Sequence, residues 1–219
     1  MNGGEMSSAE RIEPANPALP GADKIGAIVL AAGAATRYGA PKLALPLAGA
    51  PLVRRMALAA LAVSRHVVVV TGAHCEEIEP LIADLPVTRA YNPDWVLGMS
   101  HSIAHGVVRL CAIAPDVSGA LVLLADQVQV GAPELRRLLL DHAAEPRAIV
   151  AAHYGGEAGA PCLFPRSYFD KLMQLQGARG ARTILRRHAD SVRAVEMPQA
   201  AVDIDTPADY AKVLAADGL

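Results

Sequence analysis

The sequence predicts a three-layer α/β/α protein of Rossmann-like type, with helices on both faces of a mainly parallel mixed sheet. Three observations carry that expectation. Apolar runs of strand length alternate with helical patterns up to about residue 152, the order that βαβ units with right-handed crossovers produce. The runs are continuous rather than alternating, as in His66-Val67-Val68-Val69-Val70-Thr71, which marks strands covered on both faces. Glycine and polar residues stand directly after them, and sheets of this kind bind ligands at the carboxyl ends of their strands.

Residues 1–23 carry Asn2-Gly3-Gly4, Ser7-Ser8 and Pro14, Pro17 and Pro20 without any apolar period, so a disordered leader is expected, followed by a single domain over 24–219. The first strand is expected over 25–30. Ala50-Pro51-Leu52 opens a helix to about residue 62, with Pro51 in the first turn, where a missing N–H does no harm. The β-branched run 66–71 is the second strand, ended by Gly72, and a short helix is expected over 76–83. A third strand over 87–91 closes at Asn92-Pro93-Asp94, and Gly98-Met99-Ser100-His101-Ser102 starts a helix reaching about residue 110. Residues 120–124 form the fourth core strand, followed by a helix over 133–142 and a strand over 148–152. Beyond that the pattern loosens. Gly155-Gly156 and Gly159-Ala160-Pro161 are expected to flank a turn before Cys162-Leu163-Phe164-Pro165. Helices over 166–175 and 181–188, a strand over 192–195 and a terminal helix led by residues 202–210 complete the chain.

With 219 residues, 53% of them hydrophobic, the chain is long enough to bury a substantial core. A net charge of -2, without interleaved basic and aromatic residues, gives no basis for a nucleic-acid partner. Cys75, Cys111 and Cys162 lie far apart with no C-x-x-C pair, which argues against a disulfide framework or a zinc site and fits a reducing cytoplasm. No apolar segment reaches the roughly 20 residues needed to cross a bilayer, and the polar, Pro-rich start does not read as a secretion signal.

The chemistry is expected to centre on Leu30-Ala31-Ala32-Gly33-Ala34-Ala35-Thr36-Arg37-Tyr38-Gly39-Ala40-Pro41-Lys42. Small side chains through Gly33 let backbone N–H groups face an anion without Cβ crowding, and Arg37 and Lys42 add two cations. Donors plus cations beside a strand end describe a triphosphate cradle. The pattern is not a Walker A loop, which sets Gly-Lys-Ser/Thr directly before a helix. Nor is it the G-x-G-x-x-G that a nicotinamide-dependent oxidoreductase needs.

Asp126 directly follows the fourth core strand. A carboxylate at the end of a buried strand is costly unless neutralised, and a hard divalent cation does this well. Mg²⁺ takes only one or two protein carboxylates, so Asp126 needs a single partner, with Asp203 and Asp205 as candidates. The two are expected on opposite faces of an extended Val202-Asp203-Ile204-Asp205 segment, so that only one reaches the metal. Asp205-Thr206-Pro207 also resembles a helix start, with Asp205 or Thr206 as cap, which leaves Asp203 as the expected ligand. Arg179, Arg182, Arg186 and Arg187 either meet an anionic acceptor or form a solvated helix face. His74, His105, His153 and His188 have no metal-ligand spacing, and Trp95 and Met99 are expected to pack rather than act.

Taken in order, L-A-A-G-A-A-T-R-Y-G-A-P-K (30–42), V-V-T-G (69–72), N-P-D-W (92–95), G-M-S-H-S-I (98–103), L-A-D-Q (124–127), G-A-P-C-L-F (159–164), G-A-R (180–182) and D-I-D-T-P-A-D-Y (203–210) resemble consecutive motifs of the molybdenum cofactor cytidylyltransferases and their MobA-like NTP transferase relatives. The resemblance implies a nucleotide-diphospho-sugar transferase-like fold. It also implies Mg²⁺-dependent transfer of CMP from CTP, or GMP from GTP, onto the phosphate of molybdopterin, with release of pyrophosphate. Position by position, Leu30, Ala31, Ala32 and Gly33 would contact base and phosphates through backbone groups, and Arg37 and Lys42 the triphosphate. Thr71, Gly72, Asn92, Gly98, Ser100 and Ser102 would surround base and ribose, Asp126 and Asp203 would hold Mg²⁺, and Gly159, Pro161 and Arg182 would meet the acceptor. Arg37, Lys42 and Asp126 form the implied catalytic set.

GMP-transferring relatives typically carry Gly where Ala32 stands, which points to CTP. Three departures stand out. Val128 replaces the family's usual Pro, so the loop after Asp126 is expected to be less constrained. Ala160 replaces a His that tends to lie on the acceptor side, and His101 takes a position that is often small. The implied partners are NTP and molybdopterin, together with a molybdoenzyme or its maturation chaperone, but no nucleic acid or membrane. A different small phosphorylated acceptor, or a non-catalytic carrier of molybdenum cofactor, are the alternatives.

Overall fold

Ile25-Gly26-Ala27-Ile28-Val29-Leu30-Ala31 forms β1 (Ile25–Ala31), and every residue of it is buried. In the computed structural model, which describes residues 22–217, β1 is followed by a hairpin of β2 (Pro46–Leu47) and β3 (Ala50–Pro51). Next come α1 (Leu52–Leu61), β4 (His66–Thr71), α2 (Cys75–Ile78), β5 (Thr88–Tyr91), α3 (Met99–Ile113), β6 (Gly119–Leu124) and α4 (Ala132–Ala144). The remainder is β7 (Ile149–Tyr154), β8 (Glu157–Pro165), α5 (Phe169–Met173), α6 (Arg182–Arg187), β9 (Val192–Glu196) and α7 (Pro207–Asp217). The leader expected over 1–23 lies, for residues 1–21, outside the described residues.

Seven strands form one sheet in the order β5-β4-β1-β6-β8-β7-β9. β5, β4, β1 and β6 run parallel, β8 is antiparallel to both β6 and β7, and β9 is parallel to β7. Successive side chains of a strand leave on opposite faces. Ala27, Val29 and Ala31 therefore pack with Met56 of α1 and Leu135 of α4. Ile28 and Leu30 pack with Ile103, Val107 and Leu110 of α3 and Leu172 of α5. Helices thus cover both faces, and that is why the strands contain no polar alternation. Each buried Val, Leu, Ile or Met side chain among them contributes about 1.5–3 kcal/mol. The mainly parallel mixed sheet and its three layers are those expected.

The clearest departure is β8. Gly159-Ala160-Pro161, expected to flank a turn, lies inside a nine-residue strand. Ala151 pairs with Cys162 but Ala152 pairs with Gly159, so Ala160 and Pro161 bulge out of the ladder. A bulge is where a sheet tolerates a proline, because no ladder N–H is required there. Pro51 sits in the β2–β3 hairpin, opposite Pro46, rather than in the first turn of α1. The expected helix over 76–83 divides into α2 and a 3₁₀ turn, Glu79–Ile82, that contains Pro80. Likewise, 166–175 begins as a 3₁₀ turn, Arg166–Tyr168, ahead of α5.

His142 near the end of α4 is buried, and its Nδ1 has no hydrogen-bond partner among the described residues. Burial lowers its pKa below 6.5, against a smaller opposing contribution from the Ala148 backbone. As pH falls through about 6.5 the unfolded chain takes up the proton first, so native stability drops until the folded-state pKa is passed. The His142→Leu variant should therefore lose less stability between neutral and mildly acid pH than the parent, as measured by urea unfolding at several pH values.

Candidate active site

β1 and β6 are parallel neighbours with Leu30 opposite Leu124, so the residues after both strands emerge side by side. After β1 the chain turns at Ala35, whose carbonyl accepts from the Tyr38 and Gly39 amides at 2.9 and 3.0 Å. A 3₁₀ turn, Lys42–Ala44, then buries Leu43 and anchors Lys42. The Lys42 ammonium donates to Asp126 Oδ2 at 2.7 Å, to Asp205 Oδ1 at 3.0 Å and to the Ile204 carbonyl at 2.6 Å. Arg37 Nη2 reaches the other oxygen of Asp205 at 2.6 Å. The Lys42 side chain is only 11% exposed. Burial opposes its charge, but the Asp126 and Asp205 carboxylates outweigh burial and hold its pKa above 10.5.

Residues 202–205 reach the site because they run antiparallel beside the end of β6. The Ile204 amide donates to the Asp126 carbonyl at 3.3 Å, the Val128 amide donates to the Val202 carbonyl at 3.2 Å, and Gln127 bridges to Asp203. Gln127 is buried and its amide nitrogen donates to the carbonyls of Ala160 and Ala200, both at 2.8 Å. Val128 thus supplies an N–H that proline lacks, and the loop is tied down where greater freedom was expected.

Asp203 and Asp205 require a correction. Residues two apart in an extended chain share a face; the Ile204 side chain between them is fully buried while both carboxylates line one cavity. Nor does Asp205 cap α7. Thr206 Oγ1 accepts from the Asp209 amide at 3.3 Å, and Asp209 Oδ2 accepts from the Thr206 amide at 2.9 Å and its hydroxyl at 2.7 Å. This reciprocal cap frees Asp205 for Lys42 and Arg37. Thr206→Ala should cost about 1 kcal/mol in urea unfolding. Asp203 has no ion-pair partner among the described residues. Its pKa is raised by burial first and then by the Asp205 and Asp126 charges.

Two adjoining cavities open at this cluster. One, of about 430 Å³, is lined by Leu30, Ala31, Ala32, Gly33 and the rest of the turn, with Arg37, Lys42, Trp95, Gly98, Met99 and Ser102. Trp95 and Met99, expected only to pack, thus also form its wall. The other, of about 730 Å³, is lined by Asp126, Asp203, Asp205, Tyr154, Ala160 and Arg182 among others. Gly98 has φ +103°, and an added Cβ would lie 3.0 Å from Ala178 Cα, so the entry into α3 requires glycine. The first turn of α3 faces the smaller cavity, an orientation that favours negative charge.

Four residues expected to touch a nucleotide instead lie behind the wall. Thr71 Oγ1 donates to Glu79 Oε1 at 2.7 Å, Asn92 Nδ2 donates to Ser102 Oγ at 3.1 Å, and Ser100 Oγ accepts from the Gly180 amide at 3.2 Å. All three are buried with their polar groups engaged by protein. Gly72 packs against the turn so closely that an added Cβ would sit 2.6 Å from the Ala32 carbonyl oxygen. On the acceptor side, Ala160 rather than Gly159 or Pro161 lines the cavity, because both neighbours are buried in β8 and Gly159 faces the Tyr154 hydroxyl. Asp205 was weighed as a metal ligand and set aside as a helix cap, and Tyr154 was not singled out. The i,i+2 spacing in Val202-Asp203-Ile204-Asp205 carried the signal for Asp205; nothing local marked Tyr154.

Hard oxygen donors suit a divalent cation here. Asp126 and the unpaired Asp203 carboxylate share a cavity, while Asp205 is satisfied by two cations. Among the described residues no group of three or more His, Cys, Asp or Glu is placed to hold a metal. A pair of carboxylates completed by substrate oxygens is the usual arrangement for Mg²⁺, so the donor set fits. No helix of the described residues is long and apolar enough to cross a membrane.

Residues 27–192 match the family described as MobA-like NTP transferase domain. The chain is 31% identical over 196 residues to the purine catabolism protein PucB of Bacillus subtilis strain 168, covering 84% of this chain and 92% of that protein. It superposes with TM-score 0.74 on the crystal structure of a homologue of Mycobacterium tuberculosis Rv0371c from Mycobacterium sp. strain JC1, at 26% identity over 88% of this chain and 96% of that one. A crystal structure of M. tuberculosis H37Rv Rv0371c in complex with manganese matches with TM-score 0.69 and 25% identity, over 88% and 99% of the two chains.

Proposed function

Because the chain belongs to the MobA-like NTP transferase family and is a nucleotidyltransferase, we propose that it transfers CMP from CTP onto the phosphate of molybdopterin with Mg²⁺, releasing pyrophosphate. The observation that carries this reading is the convergence of Lys42, Arg37, Asp126, Asp203 and Asp205 where two cavities meet. The smaller cavity takes the nucleotide, with base and phosphates against the backbone of Leu30, Ala31, Ala32 and Gly33 and beside Gly98 and Ser102. Thr71, Gly72, Asn92 and Ser100 hold that wall in place from behind.

The larger cavity takes the acceptor, whose phosphate oxygen attacks the α-phosphorus. One P–O bond forms as the α–β bridging bond breaks, and pyrophosphate leaves with the electron pair. Lys42 and Arg37 stabilise the charge moving onto pyrophosphate, and holding both reactants at Asp126 supplies the alignment. Asp126 and Asp203 would hold the divalent cation, whose contribution when bound is to neutralise phosphate oxygens as a Lewis acid. The manganese complex of Rv0371c supports a divalent metal. Ala32, which lines the nucleotide cavity, supports CTP over GTP. The free thiols of Cys75, Cys111 and Cys162 support a cytoplasmic setting. A molybdoenzyme or its maturation chaperone belongs to the same proposal as receiver of the product.

The test is a pyrophosphate-release assay with each NTP in turn, with and without Mg²⁺ and molybdopterin. Release only with CTP, metal and pterin is expected. Release with a different phosphorylated alcohol moves the acceptor assignment, and failure of every nucleotide to support release makes a cofactor-binding role the better account.

A further inference from the structure

The wall of the larger cavity carries more positive charge than the transfer chemistry needs. Arg37, Met99, Leu124, Asp126, Ala178 and Asp205 line both cavities, so the two meet at Asp126. All the carboxylates of the larger cavity, Asp126, Asp203 and Asp205, stand at or beside that junction. The far wall, the lining that the smaller cavity does not share, includes Arg179 of the turn before α6 and Arg182, Arg186 and Arg187 of α6. α6 buries Ile184 and Leu185 in the core, which sets the side on which its arginines emerge. Arg186 is held by Glu157 at 2.8 Å, and Arg182 lies against the Tyr154 hydroxyl. Arg179 and Arg187 have no ion-pair or hydrogen-bond partner among the described residues.

All three carboxylates therefore gather with Arg37 and Lys42 around the reaction centre, while the far wall contributes arginines. A ligand with only the reacting phosphate would use the junction and leave the far wall idle. We propose that the far wall selects an acceptor bearing a second anionic group, remote from the phosphate that reacts, and that Arg179 and Arg187 bind this group. The inference rests on the acceptor phosphate reacting at Asp126. Planar guanidinium groups suit oxyanions, because each offers two parallel N–H donors.

The test is calorimetric titration of the full chain with a chain-length series of α,ω-alkanediol bisphosphates and the matching monophosphates. At the best length the bisphosphate should bind about tenfold or more tightly than its monophosphate, a typical gain for a charge-assisted bidentate contact. That advantage should vanish in the Arg179→Gln/Arg187→Gln double variant and persist in Arg186→Gln. No advantage at any length, or one that survives the double variant, overturns the proposal. Absence of pyrophosphate release with molybdopterin would instead count against the transfer reading, so the two failures are distinct.

Discussion

Asp126→Ala is expected to lower turnover about 10²-fold or more, the size of loss that removal of one preorganised electrostatic contact produces. Asp126 sits at the junction of both cavities and touches the Lys42 ammonium at 2.7 Å. In the proposed mechanism its removal takes away one of the two carboxylates assigned to the metal, and it removes one of the contacts that aim Lys42. The fold should survive, since Lys42 keeps Asp205 and the Ile204 carbonyl, and the backbone bond from Ile204 to residue 126 does not depend on the side chain. Pyrophosphate release should be compared with a urea midpoint on the same preparation. Near-normal turnover in a folded variant would remove Asp126 from the mechanism.

The same comparison separates the other two aspartates. Asp203→Ala should raise the metal concentration needed for half-maximal rate, because that carboxylate has no internal cation to lose. Asp205→Ala should instead weaken nucleotide binding, because it frees both Arg37 and Lys42 from their shared anchor.

Much of this arrangement is legible in the sequence because it rests on strand ends. A continuous apolar run reports burial on both faces, and a polar residue just after such a run falls at the carboxyl edge of the sheet; Asp126 is read that way, and Arg37 and Lys42 from the small-residue turn that follows β1. What was misread depends on distant partners. Asp205 looked like a local cap because Thr206 and Pro207 follow it, but Thr206 and Asp209 complete the cap between themselves. Thr71, Asn92 and Ser100 were expected as ligand contacts because the family resemblance implied it. Whether a hydroxyl or amide is free depends on Glu79, Ser102 and Gly180, the last of which lies 80 residues from Ser100. β8 was hidden by its own Gly159 and Pro161, which punctuate most chains but here occupy a bulge.

Lys42→Met should produce two effects of opposite sign. Turnover should fall about 10²-fold or more, because the ammonium proposed to neutralise charge developing on pyrophosphate is gone. Affinity of the nucleotide-free protein for Mn²⁺ should rise, by about tenfold if roughly 1.4 kcal/mol of repulsion is relieved. The reason is geometric: Lys42 holds Asp126 Oδ2 at 2.7 Å, and a cation approaching Asp126 must meet that ammonium. With nucleotide present the triphosphate offers Lys42 another partner, so the gap between parent and variant in Mn²⁺ affinity should narrow. Paramagnetic resonance titration of Mn²⁺, with and without CTP, reads both effects apart from activity. Arg37 still neutralises Asp205 in the variant, so unfolding is not the expected outcome, and a urea midpoint checks it. Equal Mn²⁺ affinity in parent and variant would mean that Lys42 and the metal do not compete for Asp126. Lys42 would then act on the triphosphate alone.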